Sequence, residues 1–189
     1  MEFSESGYAA LLEEIFRRFP SVQKTDFATA YKPGLAGMEG FCEALGHPER
    51  AFRSIHIAGT NGKGSVASLL ASALAGVGIR TGLYTSPHLL DFRERARIVS
   101  GDSFELVPKA YVFDFLTTWK PYFVQHDLSF FEITTGLAFK WFADSGVEAA
   151  VIETGLGGRL DSTNVLNPEL AVVTTIGLDH CALLGNTLE

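Results

Sequence analysis

Cysteine is scarce in this chain. Its 189 residues contain two, Cys42 and Cys181. They are far apart and lack metal-ligand spacing, so no disulfide scaffold or zinc module is encoded, and both read as reduced thiols. Basic blocks are also missing. The formal net charge is −7 with no Lys/Arg run, which argues against nucleic acid as a partner on electrostatic grounds. No apolar run approaches the ~18 to 20 residues of a membrane span. Met1 to Glu5 has neither the basic start nor the apolar core of a signal peptide. The expectation is a cytoplasmic protein with no membrane association. Repeats at periods of about 20–50 residues are absent too. What the chain has in quantity is apolar surface: 47% hydrophobic against 20% charged residues. That suits a folded core, as one domain or part of a larger one, and excludes disorder.

The most informative stretch is Ala58 to Ser65, A-GTNGKGS. It lies between a strand-like run (Ile55, Ile57, Ala58) and a helix-like run (Val66, Leu69, Leu70, Ala73, Leu74, Val77). Gly59, Gly62 and Gly64 permit a tight backbone path close to a ligand. The N–H groups of Gly59, Thr60, Asn61, Gly62, Lys63, Gly64 and Ser65 then form an anion-binding concavity, with a helix N-terminus pointing into it. Lys63 adds a cation, and Ser65 a hydroxyl suited to phosphate or its metal. The usual phosphate-loop pattern is G-x-x-x-x-G-K-[ST]. Here Ile57 stands at the first glycine, and Gly64 intervenes before Ser65.

Around this loop the periodicity predicts a helix over Tyr8–Phe19 stopped by Pro20, a turn at Lys32-Pro33-Gly34, and a helix over Leu35–Leu45. Beyond the loop and its helix, Ile79–Thr85 reads as a strand. Residues 91–103 form a charged segment with Arg93, Arg95 and Arg97 and one short strand at Ala96–Val99. It is either a solvated loop or a basic flap over an anionic substrate. Pro108 opens a helix through Trp119. Phe130 to about Ser145 is helical, Val147–Ile152 is a buried strand ending in Glu153, and Gly155, Gly157 and Gly158 make a turn. Leu170–Ile176 is a further strand, leading to Leu178-Asp179-His180. The alternation predicts an α/β fold, a mainly parallel sheet with flanking helices and right-handed crossovers.

In such sheets ligands bind beyond the carboxyl ends of the strands. The loop, Ser86, Glu153 and His180 each follow a predicted strand, which puts all four on one edge. An apolar run ending in an acid supports magnesium in phosphate-loop enzymes. A Ser86 hydroxyl and a Glu153 carboxylate are appropriate oxygen donors. Taken singly, a strand-end glutamate is commonly a solvated charge, a serine before proline a turn former, and His180 an ordinary histidine. His56, inside the first strand, reads as packed; His88 is left open.

GTNGKGS at 59–65, TSPHL at 85–89, Phe92-Arg93-Glu94-Arg95, ETGLGGRLDSTN at 153–164 and LDH at 178–180 together resemble the folylpolyglutamate synthase/dihydrofolate synthase family of the Mur ligase superfamily. The resemblance runs from about residue 35 onward, in order, with ETGLGGRLDSTN the more specific element. It implies a phosphate-loop ATP-binding domain of a Mur-type ligase and an ATP-dependent carboxylate–amine ligase. In such an enzyme ATP phosphorylates a pterin substrate's carboxylate, and the amine of L-glutamate then attacks the acyl phosphate. By the same resemblance Lys63 stabilises the transferring charge, Ser86 and Glu153 hold one Mg2+, and His180 helps hold a second. Phe131 would stack on the pterin of pteroate or folate, Asp161 would bind its ring nitrogens, and Arg93 and Arg95 lie in a loop that closes over the substrate. Ala96 stands where relatives carry a larger aliphatic residue. Relatives continue beyond the equivalent of residue 189 into a glutamate-ligase domain. The resemblance therefore implies that residues 1–189 are a partial N-terminal ATP-binding domain of a monomeric enzyme, inactive by itself, with an apolar sheet edge exposed. Other Mur-type ligases such as cell-wall amino-acid ligases, phosphate-loop kinases or GTPases, and a nucleotide-binding module without ligase activity are the competing classes. No Asn-Lys-x-Asp guanine reader occurs.

Overall fold

A computed structural model of the chain describes residues 2–19 and 34–187. Helix α1 (Glu5–Arg18) starts earlier than the apolar periodicity predicts because Ser4 caps it, its Oγ accepting from Gly7 N–H at 3.1 Å. Pro20 and most of the Lys32-Pro33-Gly34 turn lie outside the described residues. Helix α2 (Ala36–Ala44), β1 (Arg53–Ala58), α3 (Lys63–Gly76) and β2 (Thr81–Tyr84) follow. The chain continues through β3 (Ala96–Ser100), β4 (Ser103–Leu106), α4 (Lys109–Gln125) and α5 (Phe130–Asp144), then β5 (Ala149–Glu153), β6 (Leu170–Val173) and the short α6 (Cys181–Leu184).

The strands form one sheet in the order β4-β3-β2-β5-β1-β6. The pairs β2·β5, β5·β1 and β1·β6 are parallel, and β2·β3 and β3·β4 antiparallel. The mainly parallel sheet expected from the β/α alternation is therefore present in its centre. Strand β4 is an addition. Its residues are mostly exposed, with Phe104 on the surface, so it has no inside–outside alternation. Only backbone pairing with β3 makes it a strand. The reading of 91–103 as largely solvated loop misses this, and misses that Phe92 and Arg95 are buried in a 3-10 turn, Phe92–Arg95. Helix α4 also outruns its predicted end at Trp119, passing through Pro121 to Gln125. Pro121 removes one N–H from the ladder. The fully buried Phe123, packed on Phe19, Phe41 and Phe115, holds the last turn in place.

The two faces of the sheet are covered differently. Tyr84, Ala96, Ile98, Ala150 and Ile152 face a large core shared with α1, α2, α4 and α5. Leu83, Val151 and Ile57 face the other way, onto Ala67 and Ala71 of α3. This alternation along β2 and β5 is the two-residue period of a strand buried on both sides. The carboxyl ends of β1, β2, β5 and β6 fall on one edge, so the segments that follow them, beginning at Gly59, Thr85, Thr154 and Thr174, emerge together.

Candidate functional site

The loop between β1 and α3 is shaped by its neighbours. Gly62 caps α3 at φ 85°, a conformation that a side chain strains against, and its carbonyl accepts from Val66 N–H at 2.9 Å. The far side of the loop is tied to the segment after β6. Thr60 N–H donates to Thr175 O at 2.6 Å, the Thr60 hydroxyl donates to Gly177 O at 3.1 Å, and Asn61 N–H reaches Thr175 Oγ1 at 3.3 Å. No sequence motif announced this tie. Lys63 curls back over the loop, its Nζ donating to Gly59 O at 2.8 Å and Thr60 O at 3.2 Å. The ammonium is thus held at the mouth of the concavity. Asn61, Gly62 and Ser65 are exposed there.

Glu153, at the end of β5, is buried and turned toward this loop. Its Oε2 accepts the Ser86 N–H at 3.1 Å. A Cβ added to Gly64 would lie 3.4 Å from the same oxygen. The position that holds Ser or Thr in the common motif therefore lies beside the carboxylate, at an ordinary van der Waals distance for a Cβ. Burial pushes the Glu153 carboxyl above the usual range, against the Ser86 hydrogen bond and the positive charges of Lys63, Arg97 and Arg95. Ser86, which precedes Pro87 through a cis peptide bond, and Glu153 are bonded to each other, and Glu153 lies beside Gly64 of the phosphate loop.

A cavity of about 280 Å³ opens beside the loop, lined by Gly59, Thr60 and Lys63, by Gly155 to Gly157, and by Asp179 and His180. His180 precedes α6 at φ 48°, with Nε2 3.8 Å from Asp179 Oδ2. It shares the cavity with Lys63; Ser86 and Glu153 stand behind Gly64. Among the described residues no three His, Cys, Asp or Glu side chains are grouped to hold a metal by themselves.

The glycine-rich segment after β5 is organised by Asp161. Its Oδ2 accepts the N–H groups of Gly155 (2.9 Å) and Leu156 (2.8 Å). Its Oδ1 accepts Thr163 N–H (3.0 Å) and the Thr163 hydroxyl. The Thr163 proton is committed to Asp161, so His56 Nε2, 2.7 Å from Thr163 Oγ1, carries the proton of that bond. His56 is packed, as expected, and burial lowers its pKa. The network was not read from the sequence, though an Asp two residues before a Thr is a turn signal. Burial raises the Asp161 pKa despite these donors. Phe131 is half-buried, with its ring against Gly155, where an added Cβ would come within 2.5 Å of it, and 6.0 Å from the Tyr84 ring.

The arginines separate. Arg93 forms a bidentate pair with Asp91 (Nε to Oδ1 3.1 Å, Nη2 to Oδ2 2.8 Å) and feels Tyr8 and Glu5 of α1. Its surroundings are the α1 side of the molecule rather than the loop at 59–64. Arg95 is buried, donates through Nε to His88 Nδ1 at 2.8 Å and lies 5.1 Å over the Phe130 ring. This gives His88 a place in the structure as the acceptor for a buried guanidinium. Arg97, the third arginine of the charged segment, donates to Thr85 Oγ1 at 2.8 Å.

No family model matches the chain. Individual relatives do. It is 40% identical over 168 residues to a dihydrofolate synthase/folylpolyglutamate synthase of Bacillus subtilis, a match covering 84% of this chain and 37% of that protein. Among solved structures, E. coli FolC in complex with DHPP and ADP superposes with a TM-score of 0.83 at 28% identity, over 100% of this chain and 42% of the other. Mycobacterium tuberculosis folylpolyglutamate synthase complexed with ADP and AMPPCP gives 0.81 at 34%, over 98% and 40%. The chain thus spans well under half the length of the relatives it matches. Motif order, identity and fold agree: it belongs to the folylpolyglutamate synthase/dihydrofolate synthase family.

Proposed function

We propose that the protein to which this chain belongs is an ATP-dependent amide ligase that joins L-glutamate to dihydropteroate, to a reduced folate, or to both. The observation that carries the reading is the Glu153 carboxylate facing Gly64 of the phosphate loop while it holds Ser86 N–H. A phosphate cradle and an acid at adjacent strand ends are what phosphoryl transfer requires. The relatives' complexes with ADP and AMPPCP support a nucleotide on this loop.

In this reading the N–H groups of Gly62 to Ser65 orient the β- and γ-phosphates, those of Thr60 and Asn61 being taken by Thr175, and Lys63 releases its two carbonyl partners to meet them. The substrate carboxylate attacks the γ-phosphorus and ADP leaves. The glutamate amine then attacks the acyl carbon, the C–O bond to phosphate breaks, and the amine proton is lost. Positioning and charge neutralisation supply most of the acceleration. The donor set fits magnesium: Ser86 and Glu153 offer oxygens for one ion, with nucleotide oxygens and water to complete its shell, and His180, which lines the cavity with Lys63, would help hold a second. When bound, the ion neutralises charge across the β- and γ-oxygens. Phe131 offers the pterin a stacking surface, backed by Gly155. Asp161 is expected to meet pterin N–H groups only through lone pairs that its four chain donors leave. Buried Arg95 fits a substrate-side role better than Arg93, whose guanidinium is engaged by Asp91.

The test is ADP release by the full-length protein. It should require both glutamate and a pterin carboxylate, and fall by at least about 100-fold, the loss seen when a positioned charge is removed, in Lys63→Ala and in Glu153→Ala. ADP release independent of glutamate would replace the ligase by a kinase or ATPase. Full turnover in either variant would remove that residue from its role.

A further inference from the structure

Arg97 has no part in the mechanism above, yet its position is unusual. It pairs with Leu83 across β2·β3. Leu83 belongs to the α3 side of the sheet, whereas Ala96 and Ile98 enter the opposite core. Alternation therefore directs the Arg97 side chain to the face that carries the phosphate loop. Strand β3 runs antiparallel to β2, so Arg97 lies near the carboxyl end of β2, where Nη2 is anchored on Thr85, one residue before Ser86.

Among the described residues this is the guanidinium's one hydrogen bond, out of the five N–H donors an arginine carries. Its Nε is buried without a partner, and no carboxylate of the described residues is within ion-pair distance. The acids that act on it through space are Glu94 and Glu153. Such a cation loses hydration on folding and receives little in return. An incoming oxyanion would supply what the chain withholds, in the forked geometry that arginine favours. The sheet order indicates which anion. Counting from the loop after β1, the neighbours along the edge are Glu153 after β5, Ser86 after β2, and then Arg97 on β3. A polyphosphate seated at Gly59–Gly64 and extending past Glu153 presents its last phosphate toward Arg97.

We infer that Arg97 binds the terminal phosphoryl group of the nucleoside triphosphate, as a positively charged contact on the far side of Glu153 from Lys63. This rests on the phosphate-loop reading and adds a residue to it. The same guanidinium could receive the carboxylate of the second substrate, so the test must separate the two oxyanions.

The experiment is equilibrium titration of the full-length protein with a non-hydrolysable ATP analogue, with ADP and with a pterin carboxylate, alongside thermal melts. Arg97→Gln should weaken the analogue roughly 10- to 100-fold, the effect of losing a charged hydrogen bond. ADP affinity and the melting temperature should stay unchanged, and Arg97→Lys should recover part of the loss. Unchanged analogue binding in Arg97→Gln overturns the inference. So does an equal loss for ADP, which would make Arg97 a support of the loop, or a loss confined to the pterin carboxylate, which would assign it to that substrate. The underlying reading fails differently: the unaltered protein would bind neither nucleotide, or Lys63→Ala would bind both as tightly.

Discussion

The two faces of the sheet solve different problems with different side chains. On one, four helices bury a dense aromatic layer in which Phe41 touches Phe115, Trp119, Tyr122 and Phe123 at ring separations of 5.4–6.2 Å. On the other, α3 presents Ala67 and Ala71, both fully buried, to Ile57, Leu83 and Val151. Large rings bury more area and supply more stabilisation. Small side chains allow a helix axis to approach the strands closely, and what α3 carries at its N-terminus is the phosphate loop. Bulk on one side holds the fold together. Smallness on the other fixes the distance between the Gly62–Gly64 backbone and Glu153 on β5.

The sharpest way to break this division is to remove bulk from the aromatic side. Phe41→Ala should cost about 3–5 kcal/mol, the range for truncating a buried aromatic. Nucleotide affinity, measured below the lowered melting temperature, should change little, since α3, which carries the loop, packs on the opposite face of the sheet. A parallel loss of affinity and stability would show that the two faces are not separable.

A smaller change on the other side should do the reverse. Ala71→Leu inserts volume between α3 and the sheet, costing about 1–3 kcal/mol by overpacking. The helix can relieve that strain by moving away from β1 and β5, taking Gly64 away from Glu153. Nucleotide affinity should therefore fall out of proportion to the loss in melting temperature. Ala71→Leu with unaltered affinity would mean the loop is positioned by its ties to Thr175 and Gly177 rather than by α3 packing.

These contrasts explain what could be read from the chain alone. The parallel centre of the sheet was legible because β1, β2 and β5 are apolar runs separated by helical periods, and the placement of Glu153 followed from the rule that strand ends share an edge. Strand β4 was not, because its exposed residues carry no period and its partner is fixed only in three dimensions. The last turn of α4 was hidden by Pro121, whose cost is local while the anchoring of Phe123 is tertiary. The engagement of Asp161 by four donors, the pairing of Arg93 with Asp91 and the isolation of Arg97 depend on which side chains meet, and residue spacing is silent on that. The arginines of 93–97 look equivalent in sequence. The structure gives one a carboxylate, one a histidine and an aromatic ring, and one a single threonine hydroxyl.

The smallest effect tests the seam between the faces, where β1 passes His56 to Thr163 and Asp161. Burial holds the His56 pKa below its ordinary value. A base with a depressed folded pKa contributes stability that is complete above the unfolded value, about 6.5, and is lost as pH falls below it, because the unfolded chain takes up the proton first. Asp161 works in the opposite sense: its raised pKa favours the folded state as pH falls. The two can be separated by difference. His56→Gln should be less stable than the parent at pH 8 by about 1 kcal/mol, the value of one hydrogen bond, with Asp161 titrating in both proteins. Melts repeated down to pH 5 should show that gap narrowing as the parent loses its histidine contribution. A gap that widens instead would mean His56 is protonated in the fold, with the Thr163 hydroxyl turned away from Asp161, and the chain of bonds closing the glycine-rich segment would have to be redrawn.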